Sequence, residues 1–392
     1  SPFICATVHD ACKRDTIPVE LKKLLLNFPG RSHVGQGAVE ELGPEVADLG
    51  SRAMLVTGRS ALAETGITDR LIGIMEDAGL EIELFDRVPP EPEVEVVDDL
   101  RDCINESGCD AVVEAGGGSA MDVGKAAAAL AREDGDTAEY QLGKREVRTE
   151  GLPHAAVATT SGTGSEVTKV SVLINREADL KKSMRDPGIM PDVSITDPEL
   201  TVPCPPSVTA ASGMDAFVQA VESYLSRHAI PVTESLSLRA ASLIHSHLPA
   251  AFQNGEDREA RYAVAQGSYM AGLALGSARL GAVHGLAHPV GLLFDRPHGE
   301  VCAALLPEVL RRNKMAAGEK YDTLRHALRG DPVARTEALL DDLELDRTLG
   351  SYPDSEGEDM VIDYALDSGS SAANPVEVTP DYVRGVLEAI TD

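Results

Sequence analysis

The sequence predicts an α/β domain followed by an all-helical domain. Up to about residue 199, short apolar runs alternate with amphipathic helical patterns. Four prolines then cluster between residues 198 and 206, and long Ala- and Leu-rich helical patterns dominate beyond them. Alternation of strand and helix at this spacing implies a parallel sheet with crossover helices. We therefore place the two domains at residues 1–199 and 200–392.

The predicted strands are short apolar runs, several of which stop at a glycine or a proline. They are residues 53–57, 81–85, 111–115 and 155–158. The helical patterns between them are residues 60–78, 94–107 and 121–131. The helical patterns of the second domain are residues 208–226, 234–251, 258–275 and 301–313. Residues 1–30 are irregular, and the acidic stretch 351–358 predicts a surface loop.

The net charge of −29 excludes several classes of partner. The chain has 64 Asp and Glu against 35 Lys and Arg, and only 10 of the basic residues are Lys. Binding to nucleic acid or an anionic membrane needs clustered cations, so neither is expected. The charge indicates either an ordinary acidic enzyme or, as we prefer, adaptation to a salt-rich cytoplasm. At molar salt the Debye length is about 3 Å, and self-repulsion is screened.

Two further observations predict the cellular compartment of the protein. No apolar run reaches the 18 or so residues of a membrane span, and the first residues lack the apolar core of a signal peptide. The six cysteines are scattered without a CxxC pair, which predicts reduced thiols without a specific role. They are Cys5, Cys12, Cys103, Cys109, Cys204 and Cys302. We expect a soluble, cytoplasmic protein.

A glycine-rich turn, Gly116 to Ser119, lies where a buried strand runs into a helix. Without Cβ atoms, backbone N–H groups can approach a phosphate, and the helix N-terminus favours the anion. This pattern is typical of a dinucleotide pyrophosphate site, although the spacing does not match GxGxxG. A tight turn without a ligand is the alternative. Asp122 and Lys125 on the next helix favour binding.

A second candidate binding segment, residues 159–166, follows a predicted strand. It contains five hydroxyl side chains and two glycines in eight residues. Such a segment offers many short donors to phosphate and ribose oxygens. The alternative is a Ser/Thr turn that only caps a helix.

Side chains suited to bind a metal recur at helical spacing in the second domain. Asp215 and Gln219 are four residues apart in one stretch, and Glu222 continues their face. His284 and His288 are four apart in another, and His298 follows ten residues later. Residues four apart share a helix face, and imidazole with carboxylate suits Fe²⁺ or Zn²⁺. The pattern predicts a mononuclear metal site, unless the histidines are only hydrogen-bonded structural groups. HExxH is absent, so a zincin protease is not indicated.

Taken in order, these segments resemble the iron-containing (group III) alcohol dehydrogenase family. The matching stretches are residues 116–125, 159–168, 190–200, 207–217, 281–307 and the ending 370–383. The resemblance covers most of residues 30–310. It implies a nucleotide-binding α/β domain, a dehydroquinate-synthase-like helical domain, and an active site between them. A nicotinamide cofactor, a divalent metal and a homodimer are also implied.

The resemblance assigns roles residue by residue. Asp215, His284 and His298 match three metal ligands, and His288 matches a histidine beside the reaction centre. The matches to the pyrophosphate loop are Gly117, Gly118 and Ser119. The matches to the rest of the cofactor cleft are Asp122, Thr159, Thr160, Thr163 and Lys181.

Two positions depart from the family pattern. The fourth ligand position, usually histidine, is Gln219, whose amide oxygen is a weaker donor to Fe²⁺ or Zn²⁺. The position after the first strand, usually an aspartate that holds the ribose of NAD, is Gly58, followed by Arg59 and Ser60. Loss of the carboxylate and gain of an arginine favour NADP, with NAD as the alternative.

The resulting hypothesis is reversible hydride transfer between NAD(P)(H) and a small alcohol or aldehyde. A metal is expected to act as Lewis acid, with His288 relaying the proton. One alternative is a metal-free reductase of the maleylacetate-reductase type. Another is a dehydroquinate-synthase-like lyase, which the Lys-poor second domain disfavours. A nucleotide-binding protein without catalysis is disfavoured by the three histidines.

Overall fold

The computed structural model describes residues 26–178 and 180–392. The predictions for the first 25 residues, including Cys5 and Cys12, lie outside the described residues. The described strands are β1 (Arg31–Val34), β2 (Arg52–Gly58), β3 (Glu81–Val88), β4 (Ala111–Gly116), β5 (His154–Ala158), β6 (Val170–Asn175), β7 (Leu180–Arg185) and β8 (Val193–Thr196).

Six of these strands form one parallel sheet in the order β1-β8-β5-β4-β2-β3. The helices of this half are α1 (Leu42–Leu49), α2 (Ala61–Glu64), α3 (Ile67–Asp77), α4 (Val94–Ser107), α5 (Gly118–Leu130) and α6 (Thr137–Gln141). The predicted α/β class of this half is therefore confirmed.

Helices cover both faces of the sheet because alternate residues of a strand point to opposite sides. In β2, Met54 and Val56 pack in one core with α4 and α5. Their neighbours Ala53 and Leu55 pack in a second core with α1 and α3. The sheet is thus buried on both sides, which leaves its carboxyl edge as the exposed place for loops.

The rest of the described chain is helical. Its helices are α7 (Pro206–Leu225), α8 (Pro231–Gln253), α9 (Arg258–Ala278), α10 (Ala282–Phe294), α11 (His298–Ala317), α12 (Glu319–Ala327), α13 (Pro332–Asp342), α14 (Ser355–Asp367) and α15 (Pro380–Ala389). They share a third hydrophobic core, separate from the two cores of the sheet. None of the described helices has the length and hydropathy of a membrane span.

Three differences from the predicted elements have physical causes. The predicted helix 60–78 is two helices, because Gly66 between them adopts φ 74°. The predicted loop 351–358 is wrong in its second half, where α14 begins, since the Asp354 carboxylate caps that helix by accepting from Gly357 N at 2.9 Å. The short strands β1 and β8 and the antiparallel hairpin β6–β7 were not predicted. The division of the chain at residue 199 stays a prediction.

Candidate active site

Three turns leave the carboxyl edge of the sheet side by side. The strands β2, β4 and β5 are parallel neighbours, with Val56 paired to Glu114 and Gly116 paired to Ala158. The turns that follow them are Gly58–Ser60, Gly116–Ser119 and the predicted binding segment that begins at Thr159. Arg59 and Ser60 are exposed there. The structure therefore brings together the three groups of residues that were predicted to bind a dinucleotide.

The glycines of the second turn are required by the threonines of the third. A Cβ on Gly118 would lie 2.8 Å from Thr163 Cγ2, and one on Gly117 would lie 3.3 Å from Thr160 Oγ1. Thr159 N donates to Gly116 O at 3.0 Å, which fixes the two turns to each other. Gly117 precedes the first turn of α5, so free N–H groups of that helix point out of this edge.

Asp122 is engaged below the turns rather than free in the cleft. Its carboxylate accepts from Ser165 Oγ at 2.6 Å and from Val172 N at 2.9 Å. The neighbouring Lys125 is fully buried, and its Nζ donates to Val170 O at 2.6 Å. Both residues tie α5 to the segment after β5 and to the β6–β7 hairpin, which is a supporting role.

Lys181 lies on that hairpin, in β7. Its Nζ forms an ion pair with Glu91, and its carbonyl oxygen accepts from the hydroxyl of Tyr364 on α14. The hairpin therefore contacts the helical half.

Residues 159–166 also join the sheet to the helical half. A Cβ on Gly164 would lie 2.5 Å from Gly272 Cα on α9, and one on Gly162 would lie 2.8 Å from Ser212 Cβ on α7. Ser212 precedes Asp215 by three residues on α7. The cofactor edge and the predicted metal ligands are thus linked through direct packing.

Asp215 lies where α7, α10 and α11 converge. Its Oδ1 is 3.2 Å from His284 Nε2 and 3.7 Å from His298 Nε2. Its Oδ2 accepts from Gln219 Nε2 at 3.0 Å, which leaves Gln219 Oε1 buried without a partner. The three predicted ligands Asp215, His284 and His298 therefore come together, and Gln219 lies beside them.

Cys302 belongs to the same cluster, and sequence reasoning missed it. Its Sγ is 3.5 Å from His298 Nε2 and 4.0 Å from His284 Nε2. We call Asp215, His284, His298 and Cys302 the donor cluster, because their ligand atoms all lie within 4.8 Å of one another. A signal existed, since Cys302 follows His298 by four residues and so shares its helix face. The described cysteines, which are Cys103, Cys109, Cys204 and Cys302, are free.

Glu222 sets the orientation of His284. Its carboxylate accepts from His284 Nδ1 at 2.7 Å, from Val283 N at 2.6 Å and from His284 N at 3.3 Å. The first bond holds a proton on Nδ1 and turns Nε2 toward Asp215, where Nε2 can ligate a metal ion once its own proton is lost. The other two satisfy N–H groups at the start of α10 that have no partner within the helix. Glu222 was noticed on the face of Asp215 but was not predicted as a site residue.

His288 lies one turn after His284 on α10 and is half-buried. Its ring stacks on His298 with 5.1 Å between centroids and 21° between planes. Its Nδ1 has no hydrogen-bond partner. The predicted proton-transfer residue therefore stands against the donor cluster, and its Nδ1 is a buried polar atom without a partner.

The electrostatics of the donor cluster favour a cation. Burial raises the pKa of Cys302, but His298 and His284 outweigh burial and leave that pKa below its ordinary value. Burial lowers the pKa of His284, but Cys302 and Asp215 raise it well above its ordinary value. The cluster thus favours positive charge on its imidazoles. A divalent cation would supply that charge in place of the protons, so the donor set fits a metal ion.

The pKa of His288 moves in the opposite direction. Burial, followed by His298 and Lys181, lowers it well below its ordinary value. Burial and the neighbouring positive groups therefore disfavour the protonated, charged form of this ring.

Comparison with known proteins identifies the family. Residues 29–198 match the model of the family "Iron-containing alcohol dehydrogenase", and residues 209–391 match "Fe-containing alcohol dehydrogenase family, C-terminal". This chain belongs to the iron-containing alcohol dehydrogenase family. The resemblance and the dehydroquinate-synthase-like fold class predicted from the sequence are confirmed.

Two curated members of the iron-containing alcohol dehydrogenase family illustrate the similarity. Long-chain-alcohol dehydrogenase 1 of Geobacillus thermodenitrificans is 36% identical over 92% of this chain and 95% of its own length. NAD-dependent methanol dehydrogenase of Bacillus methanolicus is 37% identical over 76% of this chain and 78% of its own. A solved 1,3-propanediol oxidoreductase superimposes with a TM-score of 0.89 at 32% identity, over 94% of this chain and 99% of that one.

Membership of the iron-containing alcohol dehydrogenase family confirms the predicted enzyme class. The protein is an oxidoreductase that interconverts alcohols and aldehydes with a nicotinamide cofactor.

Proposed function

We propose that this protein transfers a hydride reversibly between NADP(H) and a small alcohol or its aldehyde, with a divalent metal bound at Asp215, His284 and His298. The observation that carries the proposal is the packing of residues 159–166. This segment borders the predicted cofactor edge and contacts α7 one turn before Asp215. A nicotinamide and a substrate oxygen held at these two places would meet in one cleft.

The three turns at the carboxyl edge of the sheet would bind the nicotinamide cofactor. Free N–H groups around Gly117, Gly118 and Ser119 would bind the pyrophosphate, as at other helix N-termini. The hydroxyls available to cofactor oxygens would be those of Thr159, Thr160 and Thr163. Asp122 would support this segment from below through Ser165, and Lys181 would act from the neighbouring hairpin.

The proposed NADP preference concerns the first turn. Gly58 offers no carboxylate to a ribose, and the exposed Arg59 beside it can reach a 2′-phosphate. NAD remains the competing cofactor, since a related enzyme is named an NAD-dependent methanol dehydrogenase.

The metal assignment uses ligand chemistry. Carboxylate and imidazole suit Fe²⁺ or Zn²⁺, and such an ion supplies Lewis acidity toward a substrate oxygen. Asp215 and Glu222 hold His284 from both ring nitrogens, so this ligand is preorganised. Gln219 as a ligand stays a prediction.

His288 is the proposed proton-transfer residue. Its free Nδ1 and its position against His298 support this role. During alcohol oxidation the hydride leaves the carbon that becomes the carbonyl carbon, and His288 accepts the hydroxyl proton. The ring is half-buried, so it can pass the proton to solvent.

The roles of the two domains, the oligomeric state and the cellular compartment are proposed from composition and family membership. Residues 1–199 would serve as the cofactor domain and residues 200–392 as the metal domain of a homodimer. The net charge of −29 supports a salt-rich cytoplasm as the place of action. Light scattering at low and high salt would measure the oligomeric state.

An activity panel tests the proposed function. Purified protein would be stripped with a chelator, reloaded with Fe²⁺ or Zn²⁺, and assayed with NADPH and NADH against a series of aldehydes. We expect reduction of a small aldehyde that depends on metal and is faster with NADPH. His284→Ala should lower turnover by orders of magnitude, whereas the control His326→Ala, an exposed histidine on α12, should not. Full activity in chelated protein and in His284→Ala would favour the metal-free reductase instead.

A further inference from the structure

Cys302 is the fully buried member of the donor cluster. Its exposure is 0%, whereas 25% of the His298 side chain is accessible. Both side chains project from one face of α11, because they are four residues apart. The sulfur therefore lies on the closed side of the cluster, away from the side where His298 and His288 meet the cleft.

Four of the six distances between the donor atoms are close to the edges of one coordination tetrahedron. With Zn–N and Zn–O bonds of about 2.0–2.1 Å and a Zn–S bond of about 2.3 Å, the edges of a tetrahedron are about 3.3–3.6 Å long. The four distances are 3.2 Å for Asp215–His284, 3.7 Å for Asp215–His298, 3.5 Å for Cys302–His298 and 4.0 Å for Cys302–His284. The other two, Asp215–Cys302 and His284–His298, lie within 4.8 Å, so a single ion can contact all four donors once the side chains draw closer together.

Gln219 has a different position. Its amide nitrogen donates to Asp215 Oδ2 at 3.0 Å, while its Oε1, the atom of the amide that could ligate a metal, is buried without a partner. The bond to Oδ2 holds Asp215 so that its Oδ1 faces His284 and His298. Gln219 is therefore placed as a positioning residue for Asp215.

We propose that Cys302 supplies a thiolate ligand to the metal and that Gln219 orients Asp215, giving an Asp–His–His–Cys site. The proposal rests on the proposed function in that it assumes a metal at Asp215, His284 and His298. Binding forms the metal–sulfur bond, and the thiol proton passes to solvent. With four protein donors, the substrate oxygen would have to enter as a fifth ligand, from the side of the partly exposed His298.

A sulfur ligand changes which metal the site prefers. Thiolate is a soft donor that favours Zn²⁺ over Fe²⁺, and Co²⁺ also binds more tightly than Fe²⁺ to a given site. We therefore expect protein loaded from an equimolar mixture of Fe²⁺ and Zn²⁺ to retain Zn²⁺. Substitution of Cys302 by serine should shift retention toward Fe²⁺.

Cobalt spectroscopy tests the ligand directly. Chelator-stripped full-length protein would be titrated with Co²⁺, and the absorption spectrum would be recorded for the wild type, Cys302→Ser and the control Cys109→Ser. Cys109 is a buried free cysteine in the α/β half. We expect an intense near-ultraviolet thiolate-to-cobalt band in the wild type and in Cys109→Ser. The band should disappear in Cys302→Ser, with Co²⁺ affinity weakened more than about tenfold.

The outcomes separate this inference from the proposed function. Stoichiometric cobalt with visible d–d bands but no thiolate band would overturn the Cys302 proposal and leave the metal site intact. No cobalt binding at all would overturn both. If Gln219→Leu abolished binding while Cys302→Ser did not, Gln219 would be the ligand. If Cys302→Ser does not fold, X-ray absorption spectroscopy of the zinc-loaded wild type tests the same ligand. We expect one sulfur at about 2.3 Å from the zinc, and its absence would overturn the Cys302 proposal.

Discussion

At the scale of single residues, the carboxylate of Glu222 performs two tasks. Glu222 on α7 accepts two backbone N–H groups at the start of α10 and also the Nδ1 proton of His284. Gly281 before α10 makes the approach possible, because a Cβ there would lie 2.8 Å from Glu222 Oε1. Glu222 therefore sets both the position of α10 and the tautomer of His284.

We predict that Glu222→Gln weakens metal binding by about 10–100-fold, because the amide cannot accept all three N–H groups and the His284 ring loses its fixed orientation. The change should be measured as the dissociation constant for Zn²⁺ in competition with a chelator. Glu259→Gln, an isosteric change at an exposed position of α9, is the control and should bind Zn²⁺ as the wild type does. Unchanged affinity in Glu222→Gln would show that His284 needs no such support.

Cofactor preference is a second prediction at the residue scale. Arg59→Ala should cost NADP affinity about 1.5–3 kcal/mol through loss of a charge-assisted bond, and Gly58→Asp should weaken NADP binding while sparing NAD. Titration calorimetry with both cofactors measures these changes. Arg132→Ala, at an exposed arginine just after α5, is the control. Equal affinity of the wild type for NAD and NADP would contradict the assignment.

The site was partly predictable from single residues. Asp215, His284, His288 and His298 were found because three histidines fall within 15 residues of one another and a carboxylate lies in a strongly helical stretch, and the resemblance gave them roles. Cys302 follows His298 by four residues but was read as one of six scattered thiols. The sequence shows which residues share a helix face, whereas the contact of α11 with α7 and α10 is a tertiary fact.

At the scale of elements, four strands of the parallel sheet were predictable, whereas its two shortest strands and the antiparallel hairpin were not. The helix α4 begins and ends where its pattern predicted, at Val94 and Ser107. The strand β7 reads LKKSMR and is largely unburied, so no apolar alternation marks it. The strands β1 and β8 have four residues each, too few for a period-2 pattern to stand out.

The start of α10 depends on close contact with the C-terminal tail. A Cβ on Gly285 would lie 2.1 Å from Ser371 Oγ and 3.2 Å from Ser371 N. We predict that Gly285→Ala lowers the free energy of unfolding by about 1–3 kcal/mol through overpacking. Gly73→Ala on α3, where a Cβ would meet nothing within 4 Å, should instead raise it by about 0.5–1 kcal/mol. Urea unfolding measures both; the same sign for the two variants would contradict the packing argument.

The connection after α5 provides a pH-dependent element. Hydrogen bonds from the Thr149 hydroxyl and from the backbone of Thr149 and Arg148 lower the pKa of Glu133 to about 2. A carboxyl whose folded pKa lies below its unfolded value stabilises the fold above the unfolded pKa, and this stabilisation is lost as pH falls toward the folded pKa. The contribution is therefore full at pH 7 and declines from about pH 5 downward.

We accordingly predict that Glu133→Gln is less stable than the wild type at pH 7 and that the difference narrows as pH falls toward 4. Urea unfolding at several pH values and constant salt gives the two curves. Glu106→Gln, an exposed position on α4, should show a small and nearly constant difference. A Glu133→Gln difference that does not depend on pH would refute the role of the charge.

At the scale of the whole molecule, the charge of −29 makes stability a function of salt. The Debye length shrinks from about 10 Å at 0.1 M to about 3 Å at 1 M, so repulsion among surface carboxylates weakens. We predict that the melting temperature rises as KCl increases across this range. Sucrose, an osmolyte that carries no charge, is the control and should raise it less. A flat or falling melting temperature in KCl would contradict adaptation to salt.

The contact between Gly164 and Gly272 sets the distance between the sheet half and the helical half of the enzyme. Backbone touches backbone there, with 2.5 Å between a Cβ built on Gly164 and Gly272 Cα. Side chains change rotamer within nanoseconds, but main chain in direct contact has no such freedom. Hydride transfer needs reacting atoms about 3–3.5 Å apart, and a misplacement of about 1 Å can cost about 100-fold in rate. A side chain at either glycine would push the two halves apart, so we expect the distance for hydride transfer to depend on this contact.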